Sequence, residues 1–311
     1  MSQQLNVQNL VVDLQTEQGM ARAVDALHLT LQKGQTFALV GESGCGKSMT
    51  ALSLLRLLPD NAVIQNGKVN LNDVDVFDLS EKQMRSIRGR RISIIFQEPS
   101  TSLNPVMTVG DQILEVIFQH TDLQAEQARK RAIEWLQKVG LPEPERRMGS
   151  YPFEMSGGQL QRVMIAIALS CSPSLLIADE PTTALDVTIQ AQILDLLRNL
   201  QRELNMSILF ITHNLGVVAE IAHQVAVMYS GRIVENADVS SIFNKPLHPY
   251  TRALLRSTPR LDRDRSVHYS STRLPSIKGA MPSPYDARSG CDFYNRCEFA
   301  DLDCRVIDAN L

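Results

Sequence analysis

An eight-residue glycine-rich stretch, GESGCGKS at positions 41–48, constrains the fold of this chain more than any other feature. It follows TFALV, an apolar run typical of a buried strand. It leads into SMTALSLLRLLP, whose apolar residues recur at helical spacing until Pro59. The stretch matches G-x-x-x-x-G-K-[ST], a pattern whose backbone amides surround phosphate groups. The order of strand, loop and helix therefore predicts a phosphate-binding loop.

The chemistry of such a loop assigns roles to its side chains. The loop amides and the start of the helix attract phosphate oxygens, while Lys47 reaches the terminal phosphates and Ser48 binds Mg²⁺. The predicted nucleotide-binding residues of the loop are Gly41, Glu42, Ser43, Gly44, Cys45, Gly46, Lys47, Ser48 and Met49.

Two acids end a second apolar strand, LLIADE at 175–180. A buried strand seldom ends in two carboxylates unless they meet a cation or a reactive water molecule. Asp179 is therefore predicted to lie on the Mg²⁺ side, and Glu180 to accept a proton from an attacking water. The alternative interpretation is that the two acids cap the helix that follows.

His213 ends the apolar run SILFIT, where the ligand side of an open α/β sheet is expected. A histidine taken alone is more often a surface or core residue. Together with the two preceding motifs, a contact with the γ-phosphate becomes the better interpretation.

The remaining pattern predicts an α/β fold with a parallel sheet. The apolar runs ISIIF, LLIA, SILFIT and VAVMY alternate with helical spacing, and a helix ending at Gly140 forms part of a helical insert at about 98–170. We predict a first domain at 1–244. A C-terminal extension at 245–311 begins with a short helix, followed by a mixed-charge linker and a cysteine-bearing tail.

The composition of the chain indicates which kinds of binding partner and which cellular location to expect. The net charge of −3, with 21% charged residues, gives no electrostatic reason to expect nucleic acid or a membrane surface. The N-terminal MSQQLNVQNL lacks a signal-peptide core, and no run of 18 apolar residues occurs. A cytosolic location is expected.

Six ordered motifs resemble the nucleotide-binding subunit of ABC transporters over about residues 1–240. They are GESGCGKS, Gln97 in IIFQEP, MSGGQLQR at 155–162, LLIADEP, Ala184-Leu185-Asp186 and His213. The resemblance implies a P-loop NTPase ABC cassette with a RecA-like core, an antiparallel β subdomain and a helical subdomain. It implies ATP rather than GTP, Mg²⁺ held with the help of Gln97 and Asp179, and catalysis by Glu180, His213 and Gln97.

In this family two cassettes pack head to tail, so that the signature MSGGQLQR of one faces the phosphate-binding loop of the other. The resemblance thus implies contacts to a partner's ATP that form only when the dimer closes. The residues implied are Ser156, Gly157, Gly158, Gln159 and Asp186.

Further stretches, above all KPLHPYTRALL, closely resemble the importer branch for dipeptides, oligopeptides and nickel. This likeness implies a peripheral subunit on the cytoplasmic face of the inner membrane. Its implied partners are two permease subunits and a second cassette, which is a paralogue of this chain. A solute-binding protein would act with it only indirectly, and no nucleic acid is expected. Peptides are the expected solute, with nickel or another small solute as the alternative.

Cys291, Cys297 and Cys304 stand in a region where some members of the branch hold a 4Fe–4S cluster through four cysteines. The spacing C-x5-C-x6-C supplies three ligands. Three interpretations stay open: a cluster completed from elsewhere, three free or adventitiously metal-binding thiols, and a truncated family tail.

Three positions depart from the family pattern. Met20-Ala21 stands where the family often has an aromatic residue that stacks on adenine. Stacking on adenine would then fall to Arg22 or be weak. Asn214 replaces an aspartate after His213, and Leu160 replaces a polar signature residue. Two rival hypotheses are a soluble ABC-type clamp without a permease, and a cassette that binds ATP but hydrolyses it slowly.

Overall fold

The computed structural model describes residues 2–183, 185–258, 276–286 and 289–306. Ala184 of the predicted motif Ala184-Leu185-Asp186 lies outside the described residues, as does the predicted mixed-charge linker within 259–275. Residues 307–311 at the end of the predicted tail are likewise outside them. In the described ranges, no helix is both long enough and apolar enough to cross a membrane.

Ten strands form in the described part of the chain. They are β1 (Gln3–Thr16), β2 (Gly19–Gln32), β3 (Thr36–Val40), β4 (Ala62–Leu71), β5 (Val74–Asp75), β6 (Ile92–Ile95), β7 (Leu175–Asp179), β8 (Ser207–Thr212), β9 (Gln224–Tyr229) and β10 (Arg232–Asp238). Every residue of β3, β7 and β8 is buried. Continuous burial is expected of parallel strands covered on both faces.

Eleven α-helices form in the same ranges, with 3-10 turns at Pro152–Glu154, Tyr294–Arg296 and Asp303–Arg305. The α-helices are α1 (Lys47–Leu54), α2 (Glu81–Ile87), α3 (Pro99–Ser102), α4 (Val109–His120), α5 (Ala125–Lys138), α6 (Pro144–Arg147), α7 (Gly157–Leu169), α8 (Val187–Leu204), α9 (Leu215–Ile221), α10 (Val239–Asn244) and α11 (Pro249–Ser257).

The chain forms two compact units. The first unit consists of Met1–Asn6, Thr30–Thr36 and Val69–Ile211. In it, β6, β7 and β8 pair in parallel, and β4 pairs with β5 in antiparallel fashion. Helices α4, α5 and α7 pack against one another. This unit therefore contains a parallel sheet segment and a layer of helices.

Helix α5 ends as the sequence predicts. Gly140 follows its last turn with φ of +73°, and its N–H donates to the carbonyl of Gln137 at 2.8 Å. Glycine adopts this left-handed conformation without the steric cost of a Cβ atom. Ala128, Ala132 and Leu136 form the buried face above it, at four-residue steps.

The second unit consists of Val7–Leu29, Phe37–Lys68 and Thr212–Leu311. Here β3 pairs in parallel with β9, and β10 pairs with β9 in antiparallel fashion. Strands β2, β1 and β4 are consecutive neighbours in a separate sheet. The predicted α/β class is confirmed, but β10 was not predicted because RIVENAD has too few apolar residues to signal a strand.

Strand β10 contains a β-bulge. Its register on β9 shifts between Ile233 and Glu235, so that Val234 is an extra residue in the ladder. Glu235 is buried, and its carboxylate accepts the N–H groups of Leu247 at 2.8 Å and His248 at 2.9 Å. The bulge therefore aims a buried acid at the backbone just before α11.

The core of the second unit includes part of the C-terminal extension. Tyr229 of β9, Tyr250 of α11 and Phe293 are all buried in one cluster with Val40 and Val227. The ring centroids of the three aromatic residues lie 4.6 to 5.3 Å apart. Such pairs stabilise a fold beyond the burial of their area, so the extension is packed into this unit through its side chains.

Candidate functional site

The phosphate-binding loop connects β3 to α1 in the second unit. Lys47 is only 5% exposed, and its Nζ donates to the carbonyl oxygens of Gly41 and Glu42, each at 2.9 Å. The Cys45 thiol lies 3.8 Å from the same Nζ. Carbonyl oxygens of the loop thus bind the buried ammonium group of Lys47 at the start of α1.

Glycine is required at one position of this loop. Gly46 has φ of +108°, and a Cβ atom built there would lie 2.3 Å from the backbone oxygen of Ala23. Any larger residue would need both a strained backbone and a displaced neighbouring strand. The spacing of the motif therefore reflects a packing constraint of this unit.

The residues of the loop fit a nucleotide phosphate and Mg²⁺. A buried ammonium group at a helix N-terminus attracts an anion, and Ser43, Gly44 and Ser48 beside it are exposed. The Ser48 hydroxyl is a hard oxygen ligand of the kind Mg²⁺ prefers. Burial raises the pKa of the Cys45 thiol, so Cys45 stays protonated at neutral pH.

The predicted catalytic acids lie at the end of β7 in the first unit. Asp179 is the last residue of the strand and is 6% exposed. Glu180 follows with φ of +47°, and its N–H donates to the carbonyl of Ile211 at 2.9 Å. A left-handed backbone is unfavourable for a glutamate, so the surrounding structure holds this residue in a strained conformation.

The Glu180 carboxylate accepts hydrogen bonds from polar side chains of the first unit. Its Oε2 accepts the Gln97 amide at 3.2 Å and the Thr183 hydroxyl at 2.9 Å. Gln97 and Glu180, both predicted from the sequence, are therefore brought together. Thr183 was not predicted, because a threonine three residues after an acid carries no signal in the sequence by itself.

The caps of two helices account for other predicted residues. Asp186 is the N-cap of α8 and accepts the N–H of Ile189 at 2.9 Å. The alternative that Asp179 and Glu180 cap this helix is therefore wrong. Ser156 is the N-cap of α7, in a capping box with Gln159.

Ser156 and Asp186 line one surface cleft of the first unit. Gly157, Gly158 and Gln159 also line it. Ser156 and Gly157 are exposed at the start of α7, where N–H groups are available to an anion. The signature MSGGQLQR and Asp186 thus lie at one surface, and their contact with a partner's ATP stays a prediction.

His213 is exposed directly after β8, in the second unit. Asn214, which follows it, is the N-cap of α9, and its Oδ1 accepts the N–H groups of Gly216 and Val217 at 2.9 and 3.4 Å. Asparagine and aspartate cap helices about equally well, so this departure from the family pattern preserves the local structure. Leu160 is buried and therefore acts in packing.

A family model described as ABC transporter matches residues 24–183. This chain belongs to the ABC transporter family. A second model, described as the oligopeptide/dipeptide transporter C-terminal region, matches residues 234–304. The family and the branch predicted from the motifs are therefore confirmed.

Two relatives and one solved structure illustrate the likeness. The oligopeptide transport ATP-binding protein AppD of Bacillus subtilis is 50% identical over 98% of this chain and 91% of that protein. The dipeptide transport ATP-binding protein DppD of the same organism is 48% identical over 96% and 87%. The dimeric ATP-binding cassette MJ0796 bound to ADP and Pi is 27% identical, with a TM-score of 0.68 over 76% of this chain and 98% of that one.

The adenine contact of this ABC cassette stays a prediction. Arg22 donates to Asp25 at 2.8 Å and also pairs with Asp13, so the edges of its guanidinium group are bound to carboxylates. These contacts raise the pKa of Arg22. Met20 is 48% exposed beside it. Arg22 is therefore fixed in place, and any stacking would use only the face of its guanidinium group.

The three cysteines of the tail form no recognisable metal site. The N–H of Cys291 donates to the carbonyl of Cys304 at 2.8 Å, and all three thiols are free and partly buried. Throughout the part of the chain that the structure describes, no group of three His, Cys, Asp or Glu residues is arranged to hold a metal ion. The iron–sulfur cluster stays a prediction without support.

Proposed function

We propose that this chain is the ATP-hydrolysing subunit of an importer for dipeptides or oligopeptides. The observation that carries the hydrolytic part is the Glu180 carboxylate, held by Gln97 and Thr183 at the end of a buried strand. The peptide part is supported by the C-terminal match and by the names of AppD and DppD.

This proposal assigns a role to each predicted residue of the nucleotide site. In the second unit, Lys47 holds the terminal phosphates, Ser48 ligates Mg²⁺ and His213 stabilises the γ-phosphate during transfer. Bound Mg²⁺ supplies positive charge to the phosphate oxygens. The helix start and the buried ammonium described above favour the phosphate role of Lys47.

In the first unit, Asp179 would help to hold Mg²⁺, Gln97 would contact the metal or the water, and Glu180 would accept the proton of the attacking water. The hydrogen bonds from Gln97 and Thr183 to Oε2 orient the carboxylate to which we assign proton transfer. A neutral amide at this position could not accept the proton.

The proposal includes partners. Two permease subunits would hold the chain peripherally at the cytoplasmic face of the inner membrane, and a solute-binding protein would deliver the peptide. A second cassette, a paralogue, would present its phosphate-binding loop to Ser156 and Gly157, whose exposure in α7 supports such an encounter. ATP binding would then close the pair and hydrolysis would open it.

The test is uptake of labelled dipeptide, longer peptide and Ni²⁺ by the assembled transporter in liposomes that contain ATP. E180Q is compared with wild type and with E203Q, which removes a carboxylate from the exposed pair between Lys138 of α5 and Glu203 of α8. Peptide uptake that E180Q abolishes and E203Q preserves supports the proposal. Uptake of Ni²⁺ alone refutes the peptide assignment, and ATP turnover unchanged by E180Q refutes the base.

A further inference from the structure

The C-terminal extension contacts the phosphate-binding loop. Tyr250 of the HPYT stretch is completely buried, and its hydroxyl accepts the backbone N–H of Glu42 at 3.0 Å. Burial raises the pKa of Tyr250, so the hydroxyl stays neutral. The HPYT stretch, which is the one most typical of this branch, therefore contacts the phosphate-binding loop through a hydrogen bond.

A second contact joins the cysteine-bearing segment to the same residue of the loop. The guanidinium of Arg296 forms a two-pronged ion pair with the Glu42 carboxylate, with N–O distances of 2.9 and 3.1 Å. The Arg296 side chain is 5% exposed and that of Glu42 is 27% exposed. A paired geometry with so little water is stronger and more specific than a surface ion pair.

Arg296 is itself held in place on several sides. Its Nε donates to the carbonyl of Lys278 at 3.0 Å, and Nη1 lies 3.3 Å from the Tyr229 hydroxyl. Its guanidinium carbon lies 5.7 Å from the centroid of the Tyr229 ring and 5.9 Å from that of Phe293. These contacts hold the planar guanidinium group in the orientation in which it pairs with Glu42.

Glu42 transmits these contacts to the ammonium that we assign to phosphate binding. Its backbone oxygen accepts Lys47 Nζ at 2.9 Å and the N–H of Cys45 at 3.3 Å. One residue is therefore bonded through its N–H to Tyr250, through its carboxylate to Arg296 and through its carbonyl to Lys47. A shift of Glu42 would shift the acceptor that orients Lys47.

We propose that Arg296, together with Tyr250, is a positioning residue that sets the conformation of the phosphate-binding loop and thereby its affinity for nucleotide. This inference rests on the proposed nucleotide binding. It assigns to the C-terminal extension a direct effect on the affinity of the ATP site.

The test is calorimetric titration of the purified full-length chain with ADP, which the protein does not hydrolyse. R296M should raise the Kd for ADP about tenfold, as expected for loss of a hydrogen-bonded charged pair. R256M is the matched control, because Arg256 forms a more exposed pair with Glu298, at 3.7 Å. Its Kd should equal that of wild type.

Three further comparisons separate positioning from general loosening of the fold. The double variant E42Q/R296M should bind ADP no more weakly than either single variant, because both remove the same pair. Alkylation of Cys45 by N-ethylmaleimide should become faster in R296M, while that of Cys171 in the first unit stays unchanged. R296K, which keeps the charge but not the fork, should recover part of the affinity.

The outcomes are distinguishable. If wild type binds ADP and a folded R296M binds it equally well, the inference is wrong while the nucleotide site stands. Equal weakening by R256M would also overturn it. If wild type fails to bind ADP at all, the proposed function itself falls. If R296M does not fold, E42Q and R296K decide the question by the same criterion.

Discussion

The hydroxyl of Thr183 donates a 2.9 Å hydrogen bond to Oε2 of Glu180. The two residues stand three positions apart, on either side of a turn in which the N–H of Thr183 also donates to the carbonyl of Glu180 at 3.1 Å. The side chain and the backbone of Thr183 therefore act on the same strained residue. This arrangement fixes the direction in which the carboxylate of the proposed base points.

Replacing Thr183 by valine removes the hydroxyl but keeps the shape of the side chain. We expect T183V to lower kcat for ATP about tenfold with little change in KM, because a bond to a charged group is lost and the proposed base is less well oriented. T183S should restore the rate. Steady-state ATPase assays of the assembled transporter measure both constants, and a T183S rate as low as that of T183V would contradict the positioning role.

Replacing Glu180 by glutamine should lower ATP turnover by more than about a hundredfold, since an amide cannot accept the proton. Glutamine can still form hydrogen bonds with Gln97 and Thr183, so ATP binding should persist. Turnover and equilibrium binding of ATP are measured on the same preparation. A variant that loses both would indicate that Glu180 acts in binding.

Replacing Lys47 by methionine should remove the stabilisation of the protein by nucleotide. At ADP concentrations a hundredfold above Kd, a ligand that binds only the folded state adds about 2.7 kcal/mol to the free energy of unfolding. We expect this gain in wild type and little of it in K47M. Thermal unfolding with and without ADP checks the result, and K138M on the exposed face of α5 serves as the control.

Stability should depend on pH through His248. Its Nδ1 accepts the N–H of Tyr250 at 3.1 Å, which requires an uncharged ring. Burial lowers the pKa of His248, while the carboxylate of Glu235 opposes this shift, and the Phe293 ring lies 6.0 Å away. The unfolded chain, with a histidine pKa of about 6.5, therefore binds the proton first as the pH falls.

The free energy of unfolding should thus decrease as the pH falls below about 6.5, and the loss should be complete below the folded-state pKa. H248N keeps an oxygen acceptor for the Tyr250 N–H but does not titrate. Urea denaturation of both proteins between about pH 8 and pH 5 gives the difference. Parallel curves for wild type and H248N would show that His248 makes no contribution.

The cap of α8 separates a structural role of Asp186 from a catalytic one. D186A should lower the free energy of unfolding by about 1 kcal/mol, whereas D186N should not, because asparagine also caps helices. Urea denaturation measures both. A D186N protein of normal stability whose assembled transporter loses ATP turnover would support the predicted nucleotide contact. Equal destabilisation by the two changes would refute the capping role.

The parts of the fold that were predictable carry local signals. The buried runs that became β3, β7 and β8 and the amphipathic spacing of α8 are set by neighbours within a few residues. The phosphate-binding loop and the pair Asp179 and Glu180 were found for the same reason. The strained backbone of Glu180 was not, since nothing in LLIADE favours a left-handed glutamate.

The parts that were missed depend on contacts between distant residues. Glu42 and Arg296 are separated by 254 positions, and Glu42 and Tyr250 by 208. Glu42 was predicted only as a member of the loop motif. Arg296 lies among cysteines whose spacing suggested a metal site. Nothing in the sequence indicates that Glu42 and Arg296 form a pair, because it is the packing of the aromatic core in the second unit that brings them together.

The extra residue in β10 decides which side chain of this strand reaches the backbone before α11. Because Val234 is left out of the ladder, Glu235 lies opposite Val227, and Ile233 and Glu235 point to opposite faces although they are two positions apart. A regular ladder would pair Val234 with Val227 and turn Glu235 to the other face, so that the N–H groups of Leu247 and His248 would lose their acceptor. One unpaired residue thus ties the edge strand of a sheet to the start of the C-terminal extension, and β10 should tolerate a change of side chain more readily than a change of register.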